Sequence, residues 1–103
     1  MNLQTKVKLN DGNEMPIVGF GTIRVSDEAI VDSLKVGYRL LDTASMYKYN
    51  EVGTGKALIA GVLKREDIFV CTKLWTEDIR NGNTREAFFK SLKNLNTDRK
   101  SVV

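Results

Sequence analysis

The apolar positions change period along the chain. Lys6-Val7-Lys8-Leu9 alternates polar and apolar, Asn10-Asp11-Gly12-Asn13 interrupts it, and Glu14-Met15-Pro16-Ile17 resumes a short extended run. Asp-Gly supplies the positive φ angles of a tight turn, so the pattern predicts a β-hairpin. Pro16 has no amide hydrogen to give to a ladder, which confines the second strand to an edge or an end and makes the hairpin peripheral.

The period then alternates between strand and helix. A strand is predicted near Ile17 to Gly21. Ser26 followed by Asp27 and Glu28 supplies a helix cap with acidic first-turn charge. That helix runs to about Val36, buries Ile30 and Leu34 four residues apart, and stops at Gly37. A second strand, Tyr38 to Leu41, leads through Asp42 and a loop into a helix from about Glu51 to Leu63. There Val52, Gly55, Ile59 and Val62 fall on one predicted face, with Gly61 weakening the last turn. The third strand, Ile68 to Thr72, is nearly all apolar, as suits a strand covered on both faces. A last helix starts at Asn83 or Thr84 and carries the stripe Phe88, Leu92 and Leu95. Strands alternating with helices imply an α/β fold with parallel strands.

Composition narrows the function classes. With 103 residues the chain makes at most one domain. Its 16 basic and 13 acidic residues are interspersed, so the net charge of +3 leaves no nucleic-acid footprint. The longest uncharged stretch, Met15 to Ile23, is far too short to span a bilayer. The N-terminus has no apolar segment to serve as a secretory signal, and one cysteine, Cys71, cannot form an internal disulfide. Both favour a reducing, cytoplasmic setting. Without histidine, and with one cysteine, no metal site of the His/Cys type can form. Gly19-Phe20-Gly21 begins like a dinucleotide-binding turn, but Arg24 stands where the third glycine belongs. Gly53-Thr54-Gly55-Lys56 resembles the end of a phosphate-binding loop, yet Asn50 and Ala57 occupy its leading glycine and its Ser/Thr.

The chemistry concentrates at the C-terminal ends of predicted strands, where ligands bind in α/β sheets. Asp42 follows the second strand, Tyr47 stands five residues on, and Lys73 follows the third strand. Neighbouring strands lie about 4.8 Å apart, so Asp42 and Lys73 can meet across their ends. An ammonium beside a phenol favours the phenolate and makes tyrosine a better proton donor near neutral pH. Each residue alone also admits a plainer reading: Asp42 as a turn cap, Tyr47 as a half-buried ring, Lys73 as a solvated strand end, Trp75 as core packing.

Taken in order, Leu9 to Pro16, Gly19-Phe20-Gly21-Thr22, Gly37 to Ala44, Asn50-Glu51-Val52-Gly53 and Lys64 to Trp75 are similar to segments of the aldo-keto reductases. Arg85-Glu86-Ala87 and Ser91-Leu92-Lys93 with Leu95 extend the likeness to about Asp98. The resemblance implies a partial (β/α)8 TIM barrel: an N-terminal hairpin and about three βα units. It implies an NADPH-dependent reductase of aldehydes and ketones. Asp42 and Lys73 would tune Tyr47 as the proton donor, and Gly21, Thr22 and Asp42 would line the nicotinamide end of the cofactor. Met46 and Trp75 would line the pocket of a small carbonyl substrate. The family's catalytic set also includes a histidine, which this sequence lacks. Two residues, Lys48 and Tyr49, separate Tyr47 from Asn50-Glu51 where relatives have one, so Tyr49 is the alternative donor. Three strands leave the barrel open, which implies weak or absent activity for the chain alone. The alternative is a non-catalytic binding or assembly module that self-associates through its open strand edges.

Overall fold

Strand edges and helix stripes both find partners in the computed structural model, which describes residues 2–45 and 50–97 and the backbone of Ser101–Val102. The hairpin forms, with positive φ at Gly12 alone rather than at both Asp11 and Gly12. β1 (Lys6–Lys8) pairs antiparallel with β2 (Glu14–Pro16), in register Lys6 with Pro16 and Lys8 with Glu14, as a sheet of its own. Gly12 takes φ 91°, and the Leu9 amide donates to the Asn13 carbonyl at 2.7 Å to close the turn. The Asn13 backbone amide, then its side chain, donate to Asp11 and hold that carboxyl below the usual carboxylate range.

Four strands make the second sheet in the order β3 (Phe20–Gly21), β4 (Leu40–Asp42), β5 (Phe69–Thr72), β6 (Ser101–Val102), all parallel. β3 is shorter than the predicted Ile17 to Gly21, and β4 is shifted to end on Asp42. The sequence pattern predicts three strands here; Ser101–Val102 adds a fourth, aligned with Cys71 and Thr72. Register partners in parallel strands face the same way. Leu41 and Val70 therefore share one face, while Gly21, Asp42 and Cys71 share the other.

Helices cover the first of these faces. α1 (Asp27–Val36) begins as predicted at Ser26, whose hydroxyl accepts the Ala29 amide at 3.2 Å, and ends at Gly37 with φ 124°. The N-terminal segment is tied to this end, because the Gln4 side chain donates to the Gly37 carbonyl at 2.5 Å. α2 (Asn50–Ile59) and α4 (Thr84–Asn94) complete the layer. Ile30, Leu34, Leu41, Ala57, Leu58, Ile68, Val70 and Leu95 form one core, with Phe20, Val25, Val31, Val62 and Leu63 packed against it. Burial alternates along β5: Val70 and Thr72 are buried, whereas Phe69 and Cys71 are only partly covered. Among the described residues helices lie on one side of this strand, so it is covered on that face rather than on both as expected.

α2 departs most from its predicted face. It ends at Ile59 rather than Leu63, and Val52 and Ile59 point outward, 39% and 67% exposed. The buried side consists of Glu51, Gly53, Thr54, Gly55, Ala57 and Leu58. Small residues lie there because neighbours approach closely. A Cβ on Gly53 would collide with the Asp27 carboxyl; one on Gly55 would collide with the Asn94 carbonyl oxygen and stand 3.0 Å from Leu95 Cα. Gly53 to Lys56 is therefore helix interior, which disposes of the phosphate-loop likeness. Gly55→Ala is expected to destabilise the chain by about 1–2 kcal/mol. Overpacking against backbone costs ~1–3 kcal/mol, and alanine's better helix propensity returns at most ~1. A urea unfolding midpoint at or above that of the parent chain would refute this.

α3 (Thr76–Arg80) was not predicted. α4 begins at Thr84 and presents the predicted stripe, with Leu95 just past its end fully buried and Phe88 and Leu92 half-buried. Phe89 stays half exposed under the Arg85 guanidinium, 5.3 Å from its ring centre. No helix among the described residues is long and apolar enough to cross a membrane.

Candidate functional site

At the C-terminal ends of β4 and β5 the chain brings two opposite charges together. Asp42 is the last residue of β4 and lies opposite Cys71. Lys73 follows β5 directly, two residues beyond Cys71, so its side chain returns to the face that Asp42 occupies. The Lys73 ammonium donates to Asp42 Oδ1 and also to the Thr43 carbonyl at 3.1 Å. The side chains are 37% and 45% exposed, so the pair is open to solvent.

Backbone clamps fix both members. The Asp42 carbonyl accepts the Thr22 amide at 3.0 Å and the Thr22 hydroxyl at 3.2 Å. The Lys73 carbonyl accepts the Ser45 amide at 3.0 Å and the Ser45 hydroxyl at 2.9 Å. Between them the Thr43 amide donates to the Cys71 carbonyl at 2.8 Å. At Thr22 and Ser45 the hydroxyl doubles the amide's bond to the same carbonyl and so ties the strand end to its neighbour. Burial pushes the Cys71 thiol above its ordinary range; Asp42 adds to the rise and Lys73 partly opposes it. A thiol held protonated is a poor nucleophile.

The other expected site residues fall as follows. Gly21 stands opposite Asp42 on the open face, and a Cβ built on it would meet nothing within 4 Å. That leaves room for a flat ring against the backbone beside Asp42. Thr22 is completely buried, and its carbonyl accepts the Val25 amide, so all its polar groups are engaged inside the protein. It supports Asp42 from behind and has no free donor to offer a ligand. Trp75 is 43% exposed at the start of α3 and lines a cleft of about 270 Å³ with Ser45, Glu51, Asp78 and residues of α4. Met46, Tyr47 and Tyr49 lie outside the described residues.

Sequence reasoning missed Ser45, Glu51 and Thr72. Glu51 is 4% exposed, and its carboxyl accepts the Thr72 hydroxyl at 2.6 Å and the Asn94 side chain at 3.4 Å. An acidic residue in the first turn of a helix reads as a favourable surface charge, and nothing in the local pattern marks this one as buried.

Comparison with known proteins gives a consistent picture. The profile of the Aldo/keto reductase family matches residues 18–103. Methylglyoxal reductase of Escherichia coli is 48% identical over 98 residues, covering 91% of this chain and 34% of the relative. NAD(P)H-dependent D-xylose reductase I,II of Candida tropicalis is 41% identical over 99 residues, 89% of this chain and 31% of that one. Among solved structures, an aldo/keto reductase from Brucella melitensis superposes with a TM-score of 0.85 at 44% identity, covering 97% of this chain and 40% of its own. A Bombyx mori aldo-keto reductase in complex with NADP gives 0.82 at 33% identity. The chain thus spans about a third of the length of the curated relatives it matches.

Proposed function

Since this chain belongs to the aldo/keto reductase family, we propose that its strand-end Asp42–Lys73 pair marks the proton-donating end of an NADPH-dependent carbonyl reductase. The fold is an open arc of a (β/α)8 barrel. The observation that carries the reading is the Asp42–Lys73 pair, held on one sheet face by doubled backbone clamps.

The proposed roles are these. Asp42 keeps the Lys73 ammonium oriented at the rim of the sheet. The ammonium favours the phenolate of Tyr47, which lowers the phenol's pKa and makes it a stronger acid toward a carbonyl oxygen. Tyr49 is the alternative donor. Gly21 and Asp42 line the place of the nicotinamide, with Thr22 as buried support, and Met46 and Trp75 wall the carbonyl substrate. Bound NADPH supplies hydride to the carbonyl carbon. Small aldehydes and ketones are the proposed substrate class, because a Candida relative is named for D-xylose and an E. coli one for methylglyoxal. A reducing cytoplasm suits this reading.

The test supplies the rest of the barrel. Residues 1–97 replace the matching segment of the E. coli relative, and NADPH consumption is followed with a reactive aldehyde. Turnover well above the uncatalysed rate supports the reading, and a folded graft that oxidises no NADPH refutes it. The chain alone is expected to show little turnover, because a barrel of this type closes with eight strands.

A second reading, a non-catalytic assembly module, is favoured by the outer edges of β3 and β6, which carry no further strand among the described residues. It requires concentration-dependent self-association in sedimentation velocity, and a monomer across the accessible range excludes it.

A further inference from the structure

We propose that Glu51 is a positioning residue that acts through Thr72 to hold Lys73 against Asp42; this rests on the role given to that pair above. Thr72 is the last residue of β5, fully buried, and its hydroxyl donates to Glu51 Oε2 at 2.6 Å. Lys73 follows it immediately and has its own carbonyl fixed by the amide and hydroxyl of Ser45. The peptide that carries the ammonium is therefore held on both sides: by Glu51 through the preceding side chain, and by Ser45 through the carbonyl.

The same carboxyl joins three elements. It starts on α2, grips the end of β5, and accepts Asn94 from α4 at 3.4 Å. Its neighbour Asn50 donates to the Val25 carbonyl at 3.3 Å and anchors the start of α2 to the segment after β3. A lysine side chain has four rotatable bonds and loses most of its rotamer freedom when fixed. A pair this exposed contributes little net attraction to offset that loss. Wandering of the backbone at residue 73 would therefore be enough to disperse it. A buried carboxyl is no better for stability than a well-packed apolar side chain of similar size, so the bonds of Glu51 contribute placement.

The chain labelled with [13C]lysine provides the readout, the Cε signal of Lys73. Asp42→Asn first defines the signal of Lys73 released from its partner. Glu51→Gln and Thr72→Val are expected to move the signal at least halfway to that position, with the far-ultraviolet circular dichroism retained. Thr72→Ser keeps the hydroxyl and is expected to leave it unmoved. Thr72→Val is nearly isosteric and serves if Glu51→Gln does not fold. Wild-type signals in both Glu51→Gln and Thr72→Val would overturn the positioning role and leave the reading of the pair standing. A signal that Asp42→Asn itself does not move would remove the pair, and this proposal with it.

Discussion

Tyr47→Phe, in a barrel completed as above, is expected to lower NADPH-dependent aldehyde reduction by about 10²- to 10⁴-fold, the span over which a positioned proton donor accelerates a reaction. Lys73→Met is expected to cost less, about 10- to 10³-fold, because the phenol remains and only its acidity changes. A nearby opposite charge moves a pKa by roughly 1–3 units, and each unit is at most a tenfold loss in donor strength. The sign is fixed by the charge. The ammonium lowers the phenol's pKa, so its removal raises it, and the alkaline limb of the pH–rate profile moves to higher pH. Stability should barely respond. Both members of the Asp42–Lys73 pair are more than a third exposed, and such pairs contribute about 0–1 kcal/mol. A large kinetic loss with an almost unchanged unfolding midpoint is the expected signature for Lys73→Met. Steady-state rates across pH, measured beside urea titrations of the same proteins, decide it. If Tyr47→Phe retains full activity, the same series on Tyr49 tests the alternative donor, and full activity in both variants leaves no phenol in the mechanism.

The features legible in the sequence were those set by local chemistry. Gly12 announces the hairpin because glycine accepts the positive φ the turn needs there, although Asp11 does not share it as the Asp-Gly pattern predicts. Ser26 and Gly37 bracket α1 because caps are short-range events. The meeting of Asp42 and Lys73 was also readable, since both come at the ends of neighbouring parallel strands and Lys73, two residues beyond Asp42's register partner Cys71, returns to the same face. Failures came where tertiary packing outweighs local pattern. The buried side of α2 is made of Gly53, Thr54 and Gly55 because the Asp27 side chain and the Asn94 backbone press against it, so an apolar stripe through Val52 and Ile59 points the wrong way. α3 has one apolar residue, Ile79, itself half exposed, and so no periodicity to detect. β6 is two residues long and exists by pairing with Cys71 and Thr72. The hydroxyl clamps of Thr22 and Ser45 and the burial of Glu51 escaped for the same reason: serine, threonine and glutamate look alike in sequence whether they face water or a neighbouring carbonyl.

Leu41→Ala is expected to destabilise the chain by about 2–5 kcal/mol, the cost of removing a buried leucine together with the cavity it leaves. Leu41 is 0% exposed on β4, which has β3 on one side and β5 on the other, and it belongs to the core formed with Ile30 and Leu34 of α1 and Ala57 and Leu58 of α2. Little relief is available. The strand is held at its end by Thr22 on one neighbour and by register with Cys71 on the other, so the backbone cannot sink into the void. Against a total stability of about 5–15 kcal/mol for an ordinary domain, and less for a sheet helix-covered on one face, such a loss is enough to unfold much of the population at 37 °C. Because Asp42 follows Leu41 directly, the consequence reaches the pair: the variant should lose the Asp42-dependent Lys73 signal along with its circular dichroism, in one cooperative step. Thermal unfolding followed by both probes tests this. A variant whose midpoint stays within a few degrees of the parent would show that β4 is not the keystone of the core, and that the Asp42–Lys73 geometry is sustained from elsewhere.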